Sequence, residues 1–323
     1  MAPSVFFVGL GNMGSMRRPS AVSTNTAQAM CKNVVQKANL DKPLIVYNRS
    51  KDRSTALVEE LAAPGKVTIA DSVVAGAKEA DIVWTMLSAD AIVESVYDEV
   101  LSSDANIEGK LFIQSATIHP DTTERLAAKV EKRGALFLAA PVFGAPAMAE
   151  AGALVGVLSG AAAAVDRAQF LFKGVTSRQD ILLKDAPVSH AALLKVIGNT
   201  FILNMVEQLA EGHVLAEKTG LGTGAMHELM QAIFPGSYVA YSERMMSGQY
   251  YTMERPLFAV DLARKDIGFA LRLGEKVGVT LQNARTADAH LVEVKAHDGE
   301  TGDVAGIYGA VRQESGLPYE NLK

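Results

Sequence analysis

The chain contains a single cysteine, Cys31, among 323 residues. One thiol permits no internal disulfide and no cysteine-built metal cage, and a small helix residue is its expected role. No apolar run approaches the length needed to cross a bilayer. An excess of positive charge is also lacking: the formal net charge is −5, which argues against a nucleic-acid surface. The Arg17-Arg18 pair reads as a solvated loop. The first apolar segment begins near residue 4, leaving no room for a signal or transit peptide, and the final Glu320-Asn321-Leu322-Lys323 matches no address signal. These absences predict a cytoplasmic protein with no metal, no membrane partner and no nucleic-acid partner.

What is present suggests two domains. Hydrophobic residues make up 49% of the chain and charged residues 21%, an ordinary globular balance. Up to about residue 186, short apolar strands alternate with amphipathic helical stretches. The strands are expected at Val5–Val8, Leu44–Tyr47, Val67–Ile69, Ile82–Met86, Leu111–Gln114, Leu136–Ala140 and Leu154–Leu158. Such alternation predicts a parallel sheet covered by helices on both faces. Asp121 followed by Glu124 has the form of a helix-capping box. After Pro187 helices are expected over 189–218 and near 223–233, 258–276 and 284–297. Residues 189–218 are apolar on nearly every face, which predicts a helix of about 45 Å buried on all sides. The expected class is α/β, a doubly wound sheet over 1–186 followed by an all-α domain over 187–323.

The first strand runs straight into Gly9-Leu10-Gly11-Asn12-Met13-Gly14. In a dinucleotide-binding turn Gly9 permits the sharp bend and Gly11 lets backbone approach a pyrophosphate. Gly14 lets the following helix pack close to the strand. The helix should begin at once, but residues 15–27 are polar, aperiodic and interrupted by Pro19. They read as an insertion, or as a retained non-coding stretch, and predict weakened cofactor binding. The second strand ends in Asn48-Arg49, where an acidic residue would select NAD. A neutral donor followed by a cation instead suits the 2′-phosphate of NADP, with NAD as the alternative.

Together these segments resemble the β-hydroxyacid dehydrogenase family, which includes 3-hydroxyisobutyrate dehydrogenase and shares the NAD(P)-binding domain of 6-phosphogluconate dehydrogenase. The resemblance also rests on Met86-Leu87-Ser88, Thr117-Ile118-His119-Pro120, Ala140-Pro141-Val142-Phe143-Gly144, Lys195 with Asn199, and Phe258 with Lys265-Asp266. It implies an N-terminal Rossmann-type sheet and a cofactor lined by Leu87, Ser88, Thr117, Phe258 and Lys265. It implies Lys195 as the catalytic lysine and Asn199 as a residue holding the substrate. Positions i and i+4 share a helix face, so both side chains can serve one substrate. The implied reaction interconverts a carbonyl and an alcohol on a small β-hydroxyacid or semialdehyde, in a homodimer or homotetramer.

Two departures bear on the substrate. The family's Asp-x-Ser-Thr reads Gln114-Ser115-Ala116-Thr117 here, and its Pro-Val-Ser-Gly-Gly reads Pro141-Val142-Phe143-Gly144-Ala145. Ala116, Phe143, Gly144 and Ala145 therefore line a less polar pocket, suited to a larger and more apolar substrate than tartronate semialdehyde. Ser115 should point away if the local backbone is extended. His119 reads as a loop histidine at a helix start. An imine reductase on the same fold is the rival enzyme, although Lys195 argues against it. A catalytically impaired or non-enzymatic homologue is the other, favoured by the 15–27 insertion.

Overall fold

The computed structural model describes residues 2–11, 25–61, 63 and 65–322. It contains two compact units, Met1–Lys195 and Val196–Lys323.

Among the described residues nine strands build one sheet in the first unit: β1 (Val5–Val8), β2 (Leu44–Tyr47), β3 (Val67–Ile69), β4 (Ile82–Thr85), β5 (Leu111–Gln114), β6 (Leu136–Ala139), β7 (Val142–Phe143), β8 (Leu154–Gly160) and β9 (Ser177–Lys184). The order is β3-β2-β1-β4-β5-β6-β8-β7, with β9 beside β8. The first six strands pair in parallel, and β8 runs antiparallel to β6 and β7. This is the doubly wound arrangement that the alternating pattern predicts. Strand periodicity sorts the side chains onto two faces. Val5, Phe7, Leu44, Val46, Ile82, Trp84, Leu111 and Ile113 enter one core, while Phe6, Val8, Ile45, Val83 and Phe112 enter the other. Cys31 is buried in the first, and desolvation pushes its thiol pKa well up, as an inert core residue requires.

Two strands have no counterpart in the sequence reading. β7 is only two residues long, and β9 exposes most of its polar side chains, so neither carries the apolar run of a buried strand. The helix Pro120–Glu131 begins one residue earlier than Asp121, and its cap is His119, whose Nδ1 accepts from Asp121 N at 3.1 Å. Proline at the first helical position favours that start.

The second unit is helical. Beyond Val196 the long helix Ser189–Lys218 packs Leu203, Val206 and Leu209 into a core with Ile267, Leu291 and Tyr308. Burial on all sides is corrected here: Ile197, Phe201 and Leu215 are 51%, 73% and 66% exposed. Its neighbours cover one side of the cylinder, and the apolar residues on the other remain at the surface. Among the described residues no helix is long and apolar enough to cross a membrane.

Two histidines of this unit are shifted in opposite directions. His213 is fully buried, its Nε2 2.8 Å from Ser242 Oγ, and desolvation pulls its pKa down to about 4. His290 sits between Glu207 (Nδ1–Oε1 2.8 Å) and Glu314 (Nε2–Oε2 3.1 Å), and the bond to Glu207 above all lifts it to about 9. A depressed histidine contributes stability above its unfolded pKa of about 6.5, lost as pH falls toward the folded value. A raised one contributes below about 6.5, lost as pH rises through the folded value. Urea unfolding should therefore show greatest stability near pH 6.5. Losses on the order of 1–3 kcal/mol are expected by pH 4.5 and again by pH 9. A flat profile between those limits would contradict the two assignments.

Candidate active site

The register aligns Tyr47, Val8, Thr85, Gln114 and Ala139 in one row across five neighbouring parallel strands. The segments after this row therefore leave the sheet along one edge: Asn48-Arg49, Gly9-Leu10-Gly11, Met86-Leu87-Ser88, Ser115-Ala116-Thr117 and the chain from Ala140 to Ala145. In doubly wound sheets ligands bind at this carboxyl edge.

Gly9 has φ +101°, and a Cβ there would lie 2.3 Å from the Met86 carbonyl oxygen, so the turn admits only glycine. Gly11 faces Arg53, whose Nη1 would meet an added Cβ at 2.5 Å. Leu10 N–H donates to Asn48 Oδ1 at 3.0 Å, and Asn48 Nδ2 donates to the Ser50 carbonyl at 3.1 Å. Asn48 thus ties the glycine turn, through its Oδ1, to its own loop, which its Nδ2 braces at Ser50. Arg49, exposed, and Arg53, half-buried, supply the cations of this corner. Arg53 was missed in the sequence, although its i+4 spacing from Arg49 at the start of the helix Lys51–Leu61 was a usable signal. A bare glycine backbone opposite a guanidinium fits a dinucleotide phosphate.

The other end of the turn is closed by Asn25. Its Nδ2 donates to the Leu10 carbonyl at 2.8 Å, and it caps the helix Thr26–Lys37 through a reciprocal box with Gln28. Thr26 and Ala27, expected in the loop, are the first helical residues. Asn12, Met13 and Gly14, and the inserted residues up to 24, lie outside the described residues. Asn25-Thr26-Ala27 stands thirteen positions after Asn12-Met13-Gly14. Removing residues 15–27 would therefore place Asn12 and Gly14 at the present spacing of Asn25 and Ala27 from Gln28. Each doubling of loop length costs about 0.6 kcal/mol, so the deletion should raise stability by roughly 1 kcal/mol. It should also tighten NADPH, because glycine replaces Ala27 where helix and turn meet. Urea unfolding and NADPH titration of the shortened chain test both; poorer binding would mean that the segment contributes to the site.

Further along the edge, Ala116 is buried, and Leu87, Ser88 and Thr117 are half-buried. Ser115 Oγ accepts from Trp84 Nε1 at 2.8 Å and donates to the Ala140 carbonyl at 2.7 Å, so that hydroxyl belongs to the core. Phe143 is half-buried while Gly144 and Ala145 are exposed. The Lys195 ammonium lies over the Phe143 ring, 4.2 Å from its centroid, a cation–π contact. His119 is engaged in its helix cap.

In the second unit Asn199 and Asp266 are both buried, and Asn199 Nδ2 donates to Asp266 Oδ2 at 2.7 Å. Asp266 Oδ1 is 3.1 Å from Lys265 Nζ, which also sits 5.3 Å from the centroid of the Phe269 ring. The amide of Asn199 is thereby oriented from the helix Val260–Val277. Phe258 is held through its backbone: Leu257 N and Phe258 N both donate to Asp303 Oδ2, at 2.8 and 3.0 Å. Asp303 is itself buried against Arg244. Asp266 stands in the Lys265-Asp266 pair on which the resemblance rests, although its bond to Asn199 spans 67 residues; Arg244 and Asp303 have no signal in sequence spacing, since their partners lie 59 and about 45 residues away.

A parallel sheet with a glycine turn and cationic corner at its carboxyl edge defines a nicotinamide-dinucleotide oxidoreductase. Known proteins agree. Residues 4–183 match the NAD binding domain of 6-phosphogluconate dehydrogenase, and residues 190–311 match the NAD-binding family of NADP-dependent 3-hydroxyisobutyrate dehydrogenase. The NADH-dependent oxidoreductase ucdB of Aspergillus ustus is 34% identical over 295 residues, covering 91% of this chain and 98% of that protein. A Mycobacterium tuberculosis 3-hydroxyisobutyrate dehydrogenase structure with L-serine shares the fold at TM-score 0.78 and 22% identity, covering 97% of this chain and all of that one. An imine reductase from a Pseudomonas species has TM-score 0.59 at 19% identity, covering 96% and 99%. The chain belongs to the β-hydroxyacid dehydrogenase family, in its 3-hydroxyisobutyrate dehydrogenase-like branch.

Proposed function

We propose that the protein is an NADP-preferring reductase that interconverts a carbonyl and an alcohol on a small carboxylic acid, with Lys195 as general acid/base. The observation that carries this reading is the Lys195 ammonium held over the Phe143 ring, one helical turn before Asn199. The cofactor supplies or accepts the hydride. Lys195 Nζ gives a proton to the carbonyl oxygen during reduction, or takes one from the alcohol during oxidation. Asn199, oriented by Asp266, holds the substrate by hydrogen bonding. Gly9, Leu10 and Gly11 receive the dinucleotide phosphates, with Leu87, Ser88 and Thr117 along the same edge. Phe258 and Lys265 keep the cofactor role that the resemblance implies for them.

Ala116 offers no hydroxyl and Phe143 adds a ring, which favours a substrate with an apolar side chain beside its carboxylate. Arg49 and Arg53 support NADP through charge-assisted bonds to a 2′-phosphate. The test is a panel of semialdehydes, branched and unbranched, and cyclic imines with NADPH and NADH. The proposal expects the highest kcat/KM on an apolar semialdehyde with NADPH. Reduction of imines alone would favour the imine reductase reading instead, and NADPH binding without turnover of any compound would favour a non-enzymatic one.

A further inference from the structure

The second unit holds a cleft of about 470 Å³ that no step above uses. Phe201, Asn204, Gln208 and Glu211 approach it from one face of the long helix, with Glu207 at its floor and Tyr238 on the wall. At 100° per residue, Asn199 points about 160° away from Phe201, so the cleft occupies a different face from the one assigned to substrate.

Its floor is electrostatically incomplete. Glu207 is 5% exposed; Oε1 meets His290 Nδ1, but Oε2 is buried without a hydrogen-bond partner. Asn204 Oδ1 is likewise buried and unpartnered. A buried carboxylate oxygen left unmatched costs more than most polar groups, and a ligand that donates to it recovers that cost. Glu211 lies one turn beyond Glu207, so two carboxylates stand about 6 Å apart along the cleft. No lysine or arginine is among the lining residues. Gln208 Oε1 already accepts from Tyr238 OH at 3.2 Å, and the Phe201 and Tyr238 rings supply apolar surface for an alkyl stem.

We propose that this cleft binds an aliphatic ammonium ligand, with one ammonium on Glu207 Oε2 and Asn204 Oδ1. A second ammonium, on a diamine, reaches Glu211. Donors rather than acceptors are demanded, because the unpartnered atoms are both oxygens. His290 offsets only one of the carboxylates facing it, Glu207 and Glu314, so the cluster keeps a surplus of negative charge for the ligand to meet.

The probe is 1,4-diaminobutane, titrated calorimetrically into the full chain at fixed ionic strength, with 1-butylamine and potassium chloride as comparators. Expected is saturable binding of one diamine per chain, at least tenfold tighter than the monoamine, and no saturable heat from potassium. Glu207→Gln should weaken both amines at least tenfold. Glu211→Gln, at an exposed position, should leave the monoamine unchanged and abolish the diamine's advantage, which keeps the test decisive if Glu207→Gln misfolds. Absence of amine binding to the wild-type chain, or binding indifferent to both substitutions, overturns the proposal. Absence of binding together with a Glu207→Gln change in oligomeric state would assign the cleft to a basic side chain of a second copy.

Discussion

Lys195→Met should lower turnover at least a hundredfold while leaving NADPH binding near its wild-type value. A positioned general acid/base contributes about 10²–10⁴ in rate, and methionine keeps the apolar stem while removing the proton carrier. The lost contact with the Phe143 ring is worth only about 0.5–2 kcal/mol, so the fold should persist. Glycine turn, Asn48 and the arginine corner contain no atom of Lys195, which is why fluorescence titration of NADPH should barely change. Steady-state rates on the best aldehyde of the panel complete the test. Undiminished turnover would take the lysine out of the mechanism. A parallel collapse of NADPH affinity would instead make Lys195 a structural residue of the cofactor site.

Arg49→Ala and Arg53→Ala should each weaken NADPH about ten- to a hundredfold and NADH far less, because one charge-assisted contact is worth roughly 1.5–3 kcal/mol. The double substitution should shift preference toward NADH, the cofactor in the name of the Aspergillus ustus relative. Arg53 also borders Gly11, so its loss tests whether the guanidinium serves the 2′-phosphate or the pyrophosphate. In the second case both cofactors weaken together. Equal losses for both cofactors in Arg49→Ala would remove the argument for NADP.

The buried framework was legible because β1, β2, β4, β5 and β6 are short, almost uninterrupted apolar runs, and Leu44–Tyr47 and Leu111–Gln114 appear with the bounds expected. Burial on two faces leaves that imprint. The edge strand Ser177–Lys184 leaves none, because most of its side chains face solvent. The helix Ser237–Met246, directly after Pro235-Gly236, was also unread; only Ser242, Arg244 and Met245 are buried along it. At the site, glycines and lysine stand out by residue type and spacing, whereas orientation comes from distant partners. Nothing near Asn199 in sequence announces Asp266, and nothing near Lys195 announces Phe143, 52 positions earlier. The helix start at Thr26 was hidden in the same way: its cap, Asn25, is tied to the Leu10 carbonyl by a bond that no helical pattern encodes.

That bond from Asn25 to the Leu10 carbonyl has a practical consequence. Strand end and helix start are fastened side chain to backbone. Asn25 therefore acts as a rivet: Leu10 is gripped at its carbonyl by Asn25 and at its N–H by Asn48, so a disturbance at either asparagine is passed directly to the turn whose bend only glycine can make.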